Sequence, residues 1–292
     1  MERWAVPRRY QLTSRDISLL RDLARFRYIT ASQASRLHFG HLKLAQRRLR
    51  KLARMELLRR FQLGAPHALP DQRWFYALSA HGAKLLQKTA DGGNRGGFLV
   101  KRLPRNSGYL AHHEQLIDFW IWISEACFTN PSGFSCGFVP AFEHTHDRTS
   151  LRRRIAIDLD HGLGTYIPDA VLSLNRSDGV SALLLLEIDR GTEPLNRSSG
   201  SSVLLKLRSF AAAFDQGFDP YKKLFGRDYT GARLLWIVPD TRRLDSVLEL
   251  ATCQDLEQVV WVAPSTCLGS PGGLDSRTWA VCGRQGLHRL DE

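Results

Sequence analysis

The sequence predicts a two-part α+β protein: a small, mostly helical N-terminal domain, then a larger α/β domain around a mixed sheet. Two observations predict it. Capped helices dominate the first ninety residues, whereas later segments are short apolar runs too continuous to have a wet face, alternating with helices. Charge divides at the same place. Residues 1–108 hold 23 Lys and Arg against 6 Asp and Glu, a net +17, whereas residues 109–292 hold 18 against 23, a net −5, within a chain of +12. One part is built to meet a polyanion and the other to concentrate carboxylates. The expected boundaries are 1–90 for the first domain, 91–108 for a basic, Gly-rich linker (DGGNRGGFLVKRLPRNSG) and 109–292 for the second domain.

In the first domain, Thr13 followed by Asp16 reads as a helix cap, with Ile17, Leu20, Leu23 and Ala24 at helical spacing behind it. Thr30 caps a short second helix through Leu37, whose Ala31, Ala34 and Leu37 share a side. HLKLAQRRLRKLARM then forms the most amphipathic helix of the chain, with Leu42, Ala45, Leu49, Leu52 and Ala53 as its apolar stripe. LLRRFQL and RWFYALSA read as two strands around a loop with Gly64, Pro66 and Pro70, and Ser79 caps a last helix. Helices followed by a strand–loop–strand are the order of a winged helix-turn-helix. Residues 41–55 contain no acid, unlike an ordinary solvated helix face. The expected partner is double-stranded DNA, met by Lys43, Gln46, Arg47, Arg48, Arg50, Lys51 and Arg54 on the helix and by Arg59, Arg60 and Arg73 on the hairpin. Gln46, Arg47 or Arg50 would read base edges.

The second domain reads as the helix AHHEQLIDFWIWISEA, with Leu116, Phe119, Trp120 and Ile123 inward, then strands GFVPAFEH, TYIPDAVLSLN and ALLLLEIDR. The helix SSVLLKLRSFAAAF, the strand RLLWIVPD, the helix RRLDSVLELA and the strand VVWVAP follow; the stretch from Ala263 onward has no assignment. A hairpin centred near Asp178, in the turn segment NRSDGV, would set Asp169 opposite Glu187. Glu187 and Asp189 share a strand face, and cross-strand neighbours lie about 4.5–5.5 Å apart at Cβ, so the three carboxylates would converge. Such a cluster is costly unless a cation neutralises it, and oxygen-only ligands suit Mg²⁺ or Mn²⁺. Asp169, Glu187 and Asp189 are therefore the expected metal ligands, with a phosphodiester as substrate.

PDAVL, with its Asp eighteen residues before the Glu of LLLLEIDRG, resembles the core of the PD-(D/E)xK nuclease superfamily. Across roughly residues 10–240, LTSRDISLLRDLARFRYITASQASRLHF, AQRRLRKL, HHEQLIDF, PDAVL and LLLEIDRGTE together resemble the replication-relaxation family of plasmid and mobile-element proteins. The resemblance implies a winged helix followed by a restriction-endonuclease-like domain, and a DNA-directed role in replication or relaxation. Carried onto this chain, it implies Asp169 and Glu187 as metal acids and Glu114 as an additional acid from the first helix of the domain. Asp189 stands where the superfamily's ExK lysine would be. Lys206, on the next helix, is the candidate to supply that ammonium, and Arg190 a candidate to hold phosphate. The expected activity is Mg²⁺-dependent endonucleolytic cutting or nicking. Other replication, transfer or transposition proteins are candidate partners, and a homodimer stays open.

Two alternatives stand beside this reading. A non-catalytic DNA-binding factor would keep the nuclease fold as scaffold. An HUH-type tyrosine relaxase would use His144 and His146, with His112 or His113 as third ligand and Tyr166 as nucleophile, although Thr145 stands where that motif carries a bulky apolar residue. No apolar run is long enough for a membrane span, the N-terminus lacks a signal-like segment, and five scattered cysteines never form CxxC. The expected compartment is the cytoplasm, at the nucleoid or a plasmid, with reduced thiols.

Overall fold

A computed structural model of the chain describes residues 12–62, 74–89, 107–129, 133–141, 155–160, 164–197, 201–269, 274 and 276–290. The chain divides into two compact units at Ser107–Gly108. Most of the expected linker, and with it Arg73, His144, His146 and the loop containing Pro66, lies outside the described residues.

The N-terminal unit opens with α1 (Ser14–Phe26), where the Thr13 side chain and Asp16 satisfy each other's backbone N–H groups in a capping box. A three-residue strand, β1 (Tyr28–Thr30), follows; it is too short to stand out by its own periodicity. Thr30 and Gln33 then repeat the capping box at the start of α2 (Ala31–Ala34), which continues into a π-helical turn over Ser35–Phe39 and stops at Gly40 with φ +66°. The basic helix α3 (Leu42–Arg54) leads to β2 (Leu58–Phe61), β3 (Phe75–Leu78) and α4 (Ala80–Thr89). The three strands form one antiparallel sheet in the order β1–β3–β2. Ala45, Leu49 and Leu52 of α3 are buried, but Leu42, expected in that stripe, is 45% exposed. It sits at the first helical position, before the buried side of the helix has begun.

The C-terminal unit starts with α5 (Ser107–Thr129), a helix apolar on nearly every side. The strands β4 (Ser135–Pro140), β5 (Ile157–Leu159), β6 (Gly164–Tyr166), β7 (Ala170–Asn175) and β8 (Ser181–Ile188) follow. TYIPDAVLSLN, expected as one strand, divides: β6 pairs with β5, and only the part after Pro168 joins the main sheet. Next come α6 (Val203–Asp215), the unexpected short helix α7 (Asp219–Phe225), β9 (Gly231–Val238), α8 (Thr241–Thr252) and β10 (Val260–Pro264). The last stretch supplies β11 (Trp279–Val281) and β12 (Leu287–His288). The main sheet is seven-stranded and mixed, in the order β12–β11–β10–β9–β8–β7–β4, with β8, β9 and β10 parallel.

The β7–β8 register pairs Ala170 with Leu186 and Asn175 with Ser181, centred on Asp178 as the turn residues predict. Gly179, at φ +94°, makes that turn, and the Arg176 and Val180 backbones close it. Val171, Leu183 and Leu185 lie on one face of the sheet with Leu207 and Phe210 of α6, Val247 of α8 and Tyr166 of β6. The alternate row, Leu172, Leu184 and Leu186, is buried too. The double burial explains why the β8 sequence shows no polar alternation.

Candidate functional site

At the carboxyl end of the β8 row that packs on α6, Glu187 takes the place of a leucine. Its carboxylate is 2% exposed, and Lys206 Nζ on α6 lies 3.1 Å from Oε2. The same ammonium lies 3.1 Å from Glu193 Oε2, in the irregular segment after β8. Asp169 stands just before β7, one register step beyond the Ala170–Leu186 pair, and so faces Glu187 across the hairpin. Its Oδ2 accepts from the Ile188 N–H at 2.8 Å and lies 2.9 Å from His112 Nε2. Tyr166 closes the inner side, its hydroxyl donating at a long 3.4 Å to Glu187 Oε1. Glu187 forms the floor, while Asp169 and Lys206 keep 21% and 27% of their side chains exposed. The Asp169 and Lys206 side chains are therefore the partly exposed members of the cluster.

Burial pushes the Glu187 carboxyl up, to about 7, with Asp169 and Glu193 adding to the rise against the pull of Lys206. Burial also works to raise Asp169, but His112, Lys206 and the Ile188 N–H outweigh it and hold that carboxyl below its ordinary range. Burial works to lower His112, and the Asp169 charge and hydrogen bond overcome it, so the imidazole sits above its ordinary value. Lys206, with Glu187, Asp169 and Glu193 around it, stays charged despite its burial. Asp169, Glu187 and Glu193 gather around one lysine ammonium, an excess of carboxyl groups that suits a further cation or a shared proton.

The other expected site residues divide. Asp189 keeps the face parity predicted for it, yet its carboxylate is taken: Oδ2 accepts from Arg243 Nε at 2.7 Å and Oδ1 from the Gly191 N–H at 2.6 Å. Arg243, at the start of α8, also donates to the Glu193 carbonyl at 2.7 Å, so Asp189 anchors the segment carrying Glu193 and does not join Asp169 and Glu187. The three-carboxylate convergence expected from the alternation is thereby overturned. Among the described residues, no group of three or more His, Cys, Asp and Glu is disposed to hold a metal ion. A two-acid set remains, with Asp169 Oδ1 free of described hydrogen bonds, and this suits a hard cation that keeps waters and takes substrate phosphate oxygens. Glu114 is buried on α5, about 200° around the helix from His112. The helix gives Asp169 an imidazole where an acid was expected. Arg190 spends its guanidinium on the Gly108 carbonyl at 3.0 Å. His112 and Glu193 were missed as members of this site: a His within a helix carries no spacing signal, and Glu193 reads as a polar turn.

In the N-terminal unit, Lys43, Arg47, Arg50, Lys51 and Arg54 are exposed on α3 and Arg60 on β2, while Gln46 and Arg59 are half-buried. Arg48 is the exception among the expected DNA contacts. Its guanidinium binds both carboxylate oxygens of Asp16, with Nε 2.6 Å from Oδ1 and Nη2 against Oδ2, and Asp16 is fully buried. Asp16 so serves both the α1 cap and the α1–α3 contact.

The profile of the replication-relaxation family matches residues 20–225. The chain belongs to the replication-relaxation family. Membership ties it to the replication or relaxation of plasmid or mobile-element DNA. The matched span includes α3, His112, Asp169, Glu187, Glu193 and Lys206, whereas Arg243 and β9–β12 follow it. No curated protein and no solved structure matches the chain of this replication-relaxation protein at a significant level.

Proposed function

We propose that this replication-relaxation protein binds duplex DNA through its N-terminal unit and hydrolyses a phosphodiester at the Asp169–Glu187–Lys206 cluster. The observation that carries the reading is the ammonium of Lys206, 3.1 Å from Glu187 Oε2. It supplies from α6 the cation that position 189 lacks, beside two acids facing each other across a hairpin. On this reading the C-terminal unit is a PD-(D/E)xK nuclease-like domain. The N-terminal unit, with its short helices, basic α3 and β2–β3 hairpin, is a winged helix-turn-helix.

Asp169 and Glu187 would hold Mg²⁺ or Mn²⁺, which when bound supplies Lewis acidity toward a phosphoryl oxygen and makes a bound water more acidic. Lys206 stays protonated, so it serves as a fixed positive charge for the oxygen that turns anionic as phosphorus is attacked, rather than as a base. His112 and the Ile188 N–H both hold Asp169 Oδ2 and leave Oδ1 free of described hydrogen bonds. Glu193 holds the other side of the ammonium. Tyr166 is an unsuitable nucleophile: it is 3% exposed, and burial first, then the Glu187 charge, push its hydroxyl well above the usual range. That disfavours the tyrosine-relaxase alternative.

The test is cleavage of supercoiled plasmid with and without Mg²⁺ or Mn²⁺, beside the double variant Asp169→Ala, Glu187→Ala. Metal-dependent nicking by the wild type, lost in a variant that still binds DNA, is the expected result. Equal cutting by both proteins would sink the assignment. Intact binding without cutting by either would leave a DNA-binding factor acting with other replication or transfer proteins.

A further inference from the structure

The β2–β3 hairpin carries a side chain that phosphate binding does not use. Trp74, immediately before β3, is 38% exposed, and the Arg60 guanidinium lies 3.6 Å from its ring centroid. The register pairs Arg60 with Tyr76, and residues two apart on a strand share a face, so Arg60, Trp74 and Tyr76 lie on one side of the hairpin. The other side is core: Phe61 and Phe75 stack at 5.8 Å, and Tyr28 meets Phe61 edge-on at 5.5 Å. Burial raises the Tyr76 hydroxyl while the Arg60 and Arg50 charges and an Arg60 hydrogen bond pull it down. Tyr76 itself is buried, so Trp74 and Arg60 are the exposed members of that side.

An indole face brings no charge to a phosphate. It offers flat area for stacking, and the adjacent guanidinium adds the charge that a backbone needs. In continuous duplex the base faces cover one another; they open where the strands part. We propose that Trp74, backed by Arg60, is a stacking platform for an unpaired base, so that this unit binds DNA where duplex meets single strand. Cations of α3 take the duplex phosphates and Trp74 takes the first unpaired base. The inference rests on the DNA-binding reading above and names the substrate class within it.

The experiment compares binding of the full chain to a long blunt duplex and to the same duplex with a single-stranded tail, at one salt concentration. The wild type is expected to favour the tailed DNA by about tenfold, the usual scale of one base–aromatic stack. Trp74→Ala should bring the tailed DNA level with the blunt duplex and leave blunt-duplex affinity within about twofold. Trp74→Phe, which keeps an aromatic face, should retain most of the preference. A 2-aminopurine at the first unpaired position should be quenched by the wild type and unquenched by Trp74→Ala. Equal wild-type affinity for the two DNAs, or a Trp74→Ala loss shared by both, overturns the platform. Failure of the wild type to bind either DNA overturns instead the DNA-binding reading on which it stands.

Discussion

Glu187 carries the sharpest electrostatic consequence at the scale of single residues. Its folded carboxyl, raised to about 7, holds a proton that an unfolded chain at the ordinary 4.5 has released. That contribution to stability is full below about pH 4.5 and is lost as pH rises through about 7. His112, also raised, acts in the same direction. Metal-free wild type should therefore lose stability between pH 5 and pH 8, and Glu187→Gln should flatten the Glu187 part, on the order of 3 kcal/mol. Melting temperatures across that range check it; an unchanged profile in the variant would refute the assignment. If the ionised pair holds Mn²⁺ as proposed, the stabilising effect of Mn²⁺ should be larger at pH 8 than at pH 6 and vanish in Asp169→Asn. Lys206→Met leaves Glu187 buried without its cation and should cost about 3–5 kcal/mol at pH 8, read by urea unfolding.

Helix α3 separates two kinds of arginine that its sequence presents alike. Arg47 faces outward and Arg48 is turned to Asp16 on α1. Arg48→Ala strands a buried carboxylate and should lower the stability of the N-terminal unit by about 3 kcal/mol or more. Arg47→Ala should leave unfolding unchanged and reduce the slope of log affinity against log salt by about one. Measuring both properties on both variants distinguishes the roles. Gly82 sets another constraint on the same unit: a Cβ there would run into the Leu57 carbonyl and the Leu78 side chain. Gly82→Ala should therefore destabilise by about 1–3 kcal/mol, despite the usual gain from alanine in a helix, as thermal melts would show.

Across the whole molecule, charge is segregated between the two units. Six exposed cations, Lys43, Arg47, Arg50, Lys51, Arg54 and Arg60, face outward on α3 and β2. If most of them meet phosphates, affinity for duplex should fall with salt at a logarithmic slope of about −4 to −5. A slope near zero in a salt titration would remove the basis for DNA binding by this face. The Asp169→Ala, Glu187→Ala variant should show the same slope as wild type, since its changes lie in the other unit.

Much of this was legible in the sequence because it is local. Caps at Thr13, Thr30 and Ser79, the acid-free helix, the apolar strands and a turn centred on Asp178 all depend on residues a few positions apart. That turn alone brought Asp169 opposite Glu187, since a hairpin's register follows from its centre. Tertiary structure decided the rest. Strand alternation put Asp189 on the expected face, but only packing of α8 could give it Arg243 as partner and remove it from the cluster. His112 lies 57 positions before Asp169, and Arg48 lies 32 after Asp16; no periodicity encodes such pairs. Residue type and spacing thus determined which charges each element carries. Which charges meet was decided where elements distant in sequence pack together.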